Sequence, residues 1–347
     1  MVEKSQLERS KAIQRRTGRT FHFATRLLPE RIRHATYVLY AFFRIADDVV
    51  DDPNPAPAEH QQAELERILE AALGARETDD PVLLAFREIR DQYGIPEREV
   101  REFISAMERD IAAERYATHD DLAAYLRGSS VAVAYMMLAV MDPDHREQAR
   151  PHAKALAEAF QLTNFLRDVR EDVVKYDRIY LPRSTLDQHG VPDDQIERLD
   201  FSEEFATAMR AELKRTERRY HEGVAGIKYL PEDCQFGVLL AAVLYADHHR
   251  LIRARKYDVL STQPSLSVRR RVQLFVRTWW HWRRTGDPRT TFDAVSAVPS
   301  ADEEHQTDDD LSPTSEETVD RRASLAACPA RGVVRCLRSL LPLRGSK

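Results

Sequence analysis

The middle of the chain contains the stretch Phe160-Gln-Leu-Thr-Asn-Phe-Leu-Arg-Asp-Val-Arg-Glu-Asp172. Its apolar residues recur every three or four positions, which is the period of an amphipathic helix. On such a helix Asn164, Asp168 and Asp172 follow one another at intervals of four and form one polar stripe two turns long. A stripe of oxygens on an otherwise apolar helix is costly to bury unless it is satisfied. The stretch therefore predicts a helix that presents oxygen ligands to a hard cation such as Mg²⁺.

Another acidic stretch, the first in chain order, lies nearer the N-terminus and reads Tyr40-Ala-Phe-Phe-Arg-Ile-Ala-Asp-Asp-Val-Val-Asp-Asp-Pro53. In a helix Asp47 and Asp51 share one face, as do Asp48 and Asp52. Pro53 ends the helix just beyond them, so the carboxylates lie at the helix end that carries partial negative charge. Four mutually repelling acids at this end require a compensating cation.

Two such stretches in one chain narrow the choice of function. A single acidic pair is most simply a solvated helix surface, and that alternative stays open for each stretch taken alone. Here both stretches lie among aromatic and aliphatic residues, and each has arginine close by: Arg44 in the first, Arg167 and Arg170 in the second. Two facing acidic stripes can hold Mg²⁺ ions that neutralise a diphosphate, while arginine binds its oxygens with two parallel hydrogen bonds. The pattern therefore favours a metal–diphosphate site.

The rest of the sequence predicts an all-α domain. Glycine supplies only 11 of 347 residues, well below the typical ~7%, which argues against folds with many tight turns and against glycine-rich nucleotide loops. Proline is absent from the intervals 97–142, 152–181, 193–230 and 232–263, and apolar residues within them recur with helical spacing. We expect one helical domain over residues 1–295, with ten or more helices.

The C-terminal region has a different composition. Residues 301–320 carry nine acids and no lysine or arginine, whereas residues 321–347 carry seven bases and no acid. We predict a disordered acidic linker over 296–320 and a basic tail over 321–347. The tail alternates bases with apolar residues, and one interpretation is a segment that touches an anionic membrane surface. The alternative is a disordered tail whose bases fold back on the acids of residues 302–320.

Charge and hydropathy predict a cytoplasmic protein, peripheral to a membrane at most. The net charge is −5 and residues 1–300 are nearly balanced, which gives no support to nucleic-acid binding. The longest uninterrupted apolar run, 236–246, is about half of the ~20 residues that a membrane-spanning helix needs. The first ten residues have no apolar core for secretion, and three cysteines give no disulfide framework or zinc site. Trp279, Trp280 and Trp282 predict either a membrane-surface patch or the cap of the last helix.

Five segments of the chain, in order, resemble the squalene/phytoene synthase family. They are Thr20-Phe-His-Phe-Ala-Thr-Arg-Leu-Leu-Pro29, Leu39-Tyr-Ala-Phe-Phe-Arg-Ile-Ala-Asp-Asp-Val-Val-Asp51, Gly128-Ser-Ser-Val-Ala-Val-Ala-Tyr-Met-Met137, Ala159-Phe-Gln-Leu-Thr-Asn-Phe-Leu-Arg-Asp-Val-Arg-Glu-Asp172 and Arg178-Ile-Tyr-Leu-Pro182. The resemblance covers roughly residues 15–285, and the second aspartate segment is its most specific part. It implies an isoprenoid synthase-type helical bundle around a central apolar cavity.

The resemblance also implies a reaction and a set of site residues. The reaction is head-to-head condensation of two geranylgeranyl diphosphates, through a cyclopropyl diphosphate, to phytoene in carotenoid biosynthesis. The implied cofactor is Mg²⁺, with Mn²⁺ as a substitute, and downstream carotenoid enzymes are implied partners. The implied metal ligands are Asp47, Asp51, Asn164, Asp168 and Asp172; the implied substrate contacts are Thr20, Arg44, Asp48, Gly128, Ser129, Arg167 and Arg178; and the implied residues at the reacting centre are Tyr40, Tyr180 and Tyr245 with the four aspartates.

Two alternatives to this function stay open. A sibling enzyme would use farnesyl diphosphate to make squalene or dehydrosqualene, and a non-catalytic relative would serve as an assembly protein. Such a relative is expected to lose carboxylates, and both aspartate segments are intact here. Incubation with Mg²⁺ and either prenyl diphosphate would separate the three.

Three positions depart from the family pattern. Asp177 stands where glycine is usual before the Arg-x-Tyr segment, Ala134 replaces a common glycine, and Thr20 replaces the usual serine. The first concerns the geometry of a turn and the second the width of the cavity. Ionisation of an allylic diphosphate needs a dry apolar cavity, and candidates for its lining, each of which could equally be ordinary core, are Phe21, Phe23, Phe42, Phe43, Val131, Val133, Met136, Met137 and Leu138.

Overall fold

A computed structural model describes residues 4–17, 24–52, 56–112 and 115–300, and these residues form an all-α fold, as predicted. The helices are α1 (Lys4–Thr17), α2 (Glu30–Val50), α3 (Ala58–Leu73), α4 (Pro81–Tyr93), α5 (Glu97–Ile111), α6 (His119–Leu126), α7 (Val133–Met141), α8 (Arg146–Tyr176), α9 (Arg183–Gln188), α10 (Asp193–Glu197), α11 (Glu203–Val224), α12 (Glu232–Ala254), α13 (Val268–Thr285) and α14 (Pro288–Val295). A π-helical segment (Arg127–Ala132) joins α6 to α7, and a 3₁₀ turn (Ile227–Tyr229) precedes α12. Within the described ranges, strand-type pairing is limited to one isolated bridge between Arg115 and Ile179.

The second acidic stretch lies on α8, which begins before the proline-free interval 152–181. The helix begins at Arg146 and runs through Pro151. Pro151 is the sixth residue of the helix, and its missing N–H leaves only the carbonyl of Glu147 without a helical donor. Glu147 is exposed at the start of the helix, where a lost hydrogen bond costs little.

Two glycines bring helix backbones into close contact around the core. A Cβ atom on Gly223 would overlap the backbone of Leu156, so α8 and α11 pack with almost nothing between their main chains. A Cβ on Gly128 would overlap the carbonyl oxygen of Glu102, so the π-helical segment lies directly against α5. These contacts fix the position of α8, which forms one long wall of the interior cavity.

The segment His119–Met141 is long and apolar enough to cross a membrane by length and composition alone. In the fold it is mostly covered, since 61% of its most apolar window is buried. Gly128 and Leu138 are among its buried residues. We interpret the segment as a core helix of the bundle.

The described chain stays packed close to its last residue. Val295 and Val298 are buried, and the ring of His221 hydrogen-bonds the carbonyl of Pro299. The predicted linker and tail lie outside the described residues from position 301 onward, and both stay predictions.

Candidate active site

A cavity of about 630 Å³ lies inside the bundle and has two chemically different ends. One end is lined by the polar residues of both acidic stretches, among them Asp47, Asp51, Asp168 and Asp172. The other end is apolar and is lined by residues such as Met141, Leu156, Ile227 and Leu230. Volumes of 300–1,000 Å³ are usual for pockets that hold small ligands. The shape suits an amphiphile with an anionic head and an apolar tail.

The first acidic stretch forms the end of α2, and Arg44 lies across it. The Arg44 guanidinium is 2.6 Å from Asp48 Oδ1, 3.7 Å from Asp47 Oδ2 and 4.0 Å from Asp51 Oδ2. Asp47 and Asp51 both line the cavity, whereas Asp48 does not, and its side chain is 52% exposed. Asp48 therefore contacts the site through Arg44 rather than from within the cavity.

The second acidic stretch lies on the opposite wall, on α8. Asn164, Asp168 and Asp172 all line the cavity along one stripe, as their spacing of four predicted. Arg167 forms a two-pronged ion pair with Asp168, and the side-chain amide of Gln263 donates to Asp168 Oδ1 at 2.6 Å. The two acidic stripes therefore share one end of the cavity, each with its own arginine.

Arg178 lies in the turn that follows α8 and contacts the first stripe. Its Nη1 donates to Asp51 Oδ1 at 3.0 Å, and its Nη2 donates to the carbonyls of Val50 (3.1 Å) and Asp110 (2.9 Å). The side chain is buried, and its Nε has no hydrogen-bond partner among the described residues. In this arrangement Arg178 ties together the C-terminal ends of α2 and α5.

Asp110, at the end of α5, is a cavity residue that the sequence analysis missed. Its carboxylate accepts hydrogen bonds from the hydroxyls of Tyr125 (2.8 Å) and Tyr180 (3.2 Å) and lies 3.9 Å from Arg178 Nε. It is one of several acidic residues of α5 and belongs to neither aspartate stretch, so no local signal marks it. Only its contacts with residues up to 70 positions away reveal it.

The three tyrosines predicted at the reacting centre all line the cavity. Tyr180 stacks on Phe165 with ring centroids 3.9 Å apart, and Tyr245 stacks on Phe160 at 4.8 Å. Tyr40 lies on α2 two turns before Asp47. Aromatic faces of this kind can stabilise a carbocation through their negative quadrupole.

The carboxylates of the site carry more negative charge than their surroundings neutralise. Burial first, and then the neighbouring Asp51 carboxylate, raise the pKa of Asp47 to about 7. Burial and the neighbouring Asp168 raise the pKa of Asp172 to about 8. Burial also raises the pKa of Asp110 to about 6, although Arg178 opposes the effect. An added cation would relieve this repulsion.

The site fits Mg²⁺ by its donor chemistry. Every candidate ligand offers carboxylate or amide oxygen, which is the donor set that Mg²⁺ prefers. Over the described ranges, no three Asp, Glu, His or Cys side chains converge closely enough to hold a metal ion. Mg²⁺ usually binds one or two carboxylates and completes its shell with water and substrate phosphates. The arrangement therefore agrees with a metal that binds together with a diphosphate.

Of the other residues predicted from the sequence, some line the cavity and others lie in the core. Ser129 lines the cavity, but Gly128 does not, because it packs against α5. Of the predicted apolar lining, Phe43, Val133, Met137 and Leu138 face the cavity. Phe42, Val131 and Met136 are core residues instead, and Phe42 stacks on Phe86 at 3.9 Å. Thr20, Phe21 and Phe23 lie outside the described residues.

Asp177, the departure from glycine, ends α8 with a left-handed backbone (φ +53°). Aspartate is one of the few residues other than glycine that tolerate this conformation. Arg115 holds the turn, since Nη1 donates to the carbonyl of Asp177 at 2.5 Å and Nη2 to its carboxylate at 3.0 Å. The family turn is therefore compatible with aspartate here. Ala134 lines the cavity, so its methyl group narrows the space that glycine would leave.

Comparisons with known proteins agree with this geometry. A sequence profile of the squalene/phytoene synthase family matches residues 14–272. A phytoene synthase of Mycobacterium tuberculosis is 31% identical over 268 residues, which cover 76% of this chain and 87% of that protein. A phytoene synthase of Cereibacter sphaeroides is 29% identical over 282 residues, which cover 78% of each chain.

Solved structures share the fold. A dehydrosqualene synthase in complex with a ligand matches with a TM-score of 0.73 at 25% identity, covering 81% of this chain and 98% of that chain. A squalene synthase from Alicyclobacillus acidocaldarius matches with a TM-score of 0.65 at 24% identity, covering 73% of this chain and 95% of that chain. The predicted isoprenoid synthase-type fold is thereby confirmed. The profile match spans most of the chain and includes both aspartate stripes, so the chain belongs to the squalene/phytoene synthase family of prenyltransferases.

Proposed function

We propose that the protein condenses two molecules of geranylgeranyl diphosphate head to head, through a cyclopropyl diphosphate, to phytoene. One observation carries the proposal: both aspartate stripes and their three arginines line the same end of a cavity whose other end is apolar. An anionic diphosphate fits the first end and a prenyl chain fits the second. Relatives named phytoene synthase support the choice of substrate and product.

The chain's own residues would bind and orient the two diphosphates. Asp47, Asp51, Asn164, Asp168 and Asp172 would hold Mg²⁺, which when bound neutralises the diphosphate and makes it a better leaving group. Arg44 and Arg167 already lie beside the carboxylates and can turn their planar guanidinium groups toward phosphate oxygens. Their positive charges would then stabilise the departing diphosphate.

The apolar wall and the aromatic rings would protect the carbocation. Phe43, Val133 and Met137 line the cavity, and an apolar lining would exclude the water that quenches a carbocation. Tyr40 and Tyr245 also line it, and Tyr245 lies close to Arg167 and Asp168, where the positive charge would develop. Their π faces would stabilise it.

The experiment is a product assay on the purified full-length chain. We expect phytoene from geranylgeranyl diphosphate with Mg²⁺, slower conversion with Mn²⁺, and no hydrocarbon when EDTA is present. Dehydrosqualene or squalene from farnesyl diphosphate as the preferred product would instead establish the sibling activity. No hydrocarbon from either substrate, with the protein folded and Mg²⁺ saturating, would favour a non-catalytic assembly protein.

Aspartate variants test which residues carry the reaction. Asp47→Ala and Asp168→Ala should each reduce turnover to below about one tenth of wild type, because each removes a charge that holds metal and diphosphate. The melting temperature of Asp47→Ala should not fall, since the change relieves repulsion from Asp51. That of Asp168→Ala should fall slightly with the fold intact, because Arg167 and Gln263 lose their partner. The matched control is Asp91→Ala on α4, a helical aspartate that is 70% exposed and outside the cavity. If either cavity variant turns over like the control, the assignment is wrong.

A further inference from the structure

The helix α13 presents an exposed face that combines arginine with large apolar side chains. Among the described residues, five large hydrophobic side chains are exposed, and three of them lie on this helix: Val268 (46%), Val276 (42%) and Trp280 (39%). Such side chains normally avoid water when a helix has the option of burying them. Val276 and Trp280 lie one turn apart on one face, whereas Val268 lies about 80° from Val276 around the helix axis. An exposed apolar pair of this kind, surrounded by charge, is typical of a surface that contacts another structure.

The arginines of α13 share this face. The helix carries six arginines and no acidic residue. At 100° per residue, Arg269, Val276, Trp280, Arg283 and Arg284 fall within about a third of the helix circumference. The opposite side packs inward, where Leu274, Phe275 and Thr278 are buried. The helix therefore has one core side and one basic, partly apolar outer side.

The outer arginines are available to an external anion. Arg269, Arg277, Arg283 and Arg284 are all exposed, and none of them forms an ion pair with a carboxylate of the described residues. Arg277 donates one hydrogen bond to the carbonyl of Ala294 at 3.2 Å and keeps its charge. By contrast, Arg270 on the inner flank is bound by the buried Asp247. Four unpaired positive charges on one helix create a strongly positive local surface on a protein whose net charge is −5.

The contact between Arg284 and Trp280 indicates the kind of surface that this face fits. The guanidinium of Arg284 lies 3.4 Å from the centroid of the Trp280 ring, and that of Arg283 lies 5.7 Å from the Trp279 ring. An arginine stacked in this way covers the indole while its N–H groups still point outward. Tryptophan and arginine together are typical of the headgroup region of a bilayer, where apolar and anionic groups meet.

The tryptophans of α13, expected either at a membrane or as a helix cap, do not all face the same way. Trp282 faces inward, with its ring 6.4 Å from that of Phe236 on α12. Trp280 faces outward and is exposed. Gly237 and Val238, the next residues after Phe236, line the cavity. The outer face of α13 is thus separated from the apolar cavity by a single helix.

We propose that the outer face of α13, formed by Arg269, Val276, Arg277, Trp280, Arg283 and Arg284, docks on an anionic phospholipid bilayer. Arginine binds lipid phosphates, and Trp280 and Val276 enter the headgroup region. The charge of the face matches an anionic lipid, and its apolar side chains distinguish it from a purely electrostatic surface. The docking itself does not depend on the proposed function. Its use, the transfer of a hydrocarbon product to the membrane, does rest on the proposed function.

The sequence supplies an internal reporter for the experiment. The chain contains three tryptophans, and all three lie on α13. Full-length protein, without Mg²⁺ or substrate, is mixed with vesicles of phosphatidylcholine alone or with one fifth phosphatidylserine. We expect sedimentation with the anionic vesicles only, together with quenching of tryptophan fluorescence by brominated lipid. Because no substrate is present, a failure here leaves the proposed function untouched.

Charge variants locate the contact. Arg269→Gln/Arg284→Gln should weaken partition to anionic vesicles by about tenfold or more, since each arginine near an anionic surface adds substantially to binding. Arg98→Gln/Arg101→Gln removes the same charge from the exposed face of α5 and should leave partition unchanged. Trp280→Phe should keep the protein on the vesicles while abolishing most of the quenching.

Three results would overturn the proposal. Equal partition of the two double variants would place the contact elsewhere, as would sedimentation without tryptophan quenching. An acidic protein segment, such as residues 301–320 of this chain, is the other occupant that charge alone would allow. If that segment occupied the face, the protein would stay in the supernatant and its tryptophans would remain unquenched. This third outcome would also contradict the proposal that the face docks on a bilayer.

Discussion

At the scale of single residues, Arg178 belongs to a segment that the sequence identifies, but its contacts in the folded protein could not be predicted from that segment. The resemblance implied that Arg178 binds phosphate, and this stays a prediction. In the structure its two Nη atoms bind Asp51 and the carbonyls of Val50 and Asp110, whereas its Nε has no hydrogen-bond partner among the described residues. Sequence reasoning placed Asp51 and Arg178 in one site because both belong to recognisable segments. It could not show that a third helix end, carrying Asp110, meets them, because nothing local in α5 distinguishes that aspartate from its surface neighbours.

Arg178→Lys tests the role of the planar guanidinium. Lysine can still reach one carboxylate, but it cannot bridge three acceptors, so two buried carbonyls lose their donor. We expect the free energy of unfolding to fall by roughly 2 kcal/mol and product formation to slow, with release of the cyclopropyl intermediate. Urea denaturation and product analysis measure the two effects.

The control for Arg178→Lys is Arg98→Lys on the exposed surface of α5, where the guanidinium has no buried partner. Wild-type stability and turnover in Arg178→Lys would show that neither the tie between α2 and α5 nor phosphate orientation depends on the guanidinium. Loss of stability with normal turnover would assign Arg178 a purely structural role and leave Arg44 and Arg167 as the phosphate ligands.

At the scale of secondary structure, helical periodicity predicted the helices that carry the acidic residues. The stripe on α8 and the end of α2 before Pro53 both follow from spacing that is visible in the sequence. Pro151 is tolerated inside α8 because its missing N–H leaves a single carbonyl without a helical donor, that of the exposed Glu147. The left-handed turn at Asp177 was not predictable from glycine content, because aspartate held by Arg115 takes the place of glycine there.

Two substitutions at Asp177 separate backbone strain from the Arg115 contact. Asp177→Gly removes the cost of the left-handed conformation but also the exposed ion pair, which is worth at most about 1 kcal/mol. Its free energy of unfolding should stay within about 0.5 kcal/mol of wild type. Asp177→Ala keeps the strain and loses the pair, so it should lose about 1–2 kcal/mol. Equal losses in urea denaturation would mean that the carboxylate contact, rather than the backbone, controls the turn.

At the scale of the whole molecule, the cavity is built by residues that are far apart in the sequence. The lining on α8 extends from Ala149 to Asp172, a span of about 35 Å at 1.5 Å per residue. The apolar end of the cavity depends on two glycines without side chains. Gly223 lets α11 approach Leu156, and Gly226 lets the following turn approach His152. The sequence predicted that a cavity exists and which end is acidic. Its depth depends on these close contacts, which no spacing pattern reveals.

Ala153→Leu tests whether this depth selects the substrate. Ala153 lines the cavity four turns of α8 away from Asp168, about 22 Å along the helix axis. An extended prenyl backbone of 16 carbons spans roughly 20 Å, whereas one of 12 carbons spans roughly 15 Å, so a larger side chain at Ala153 obstructs the longer chain first. We expect kcat/KM for geranylgeranyl diphosphate to fall by about tenfold and that for farnesyl diphosphate by less than about threefold. Ala211→Leu on the exposed face of α11 is the matched control and should leave both values unchanged. An equal loss for both substrates would show that the prenyl chain does not extend along α8 toward Ala153, and the cavity would then have to bind its substrates in another direction.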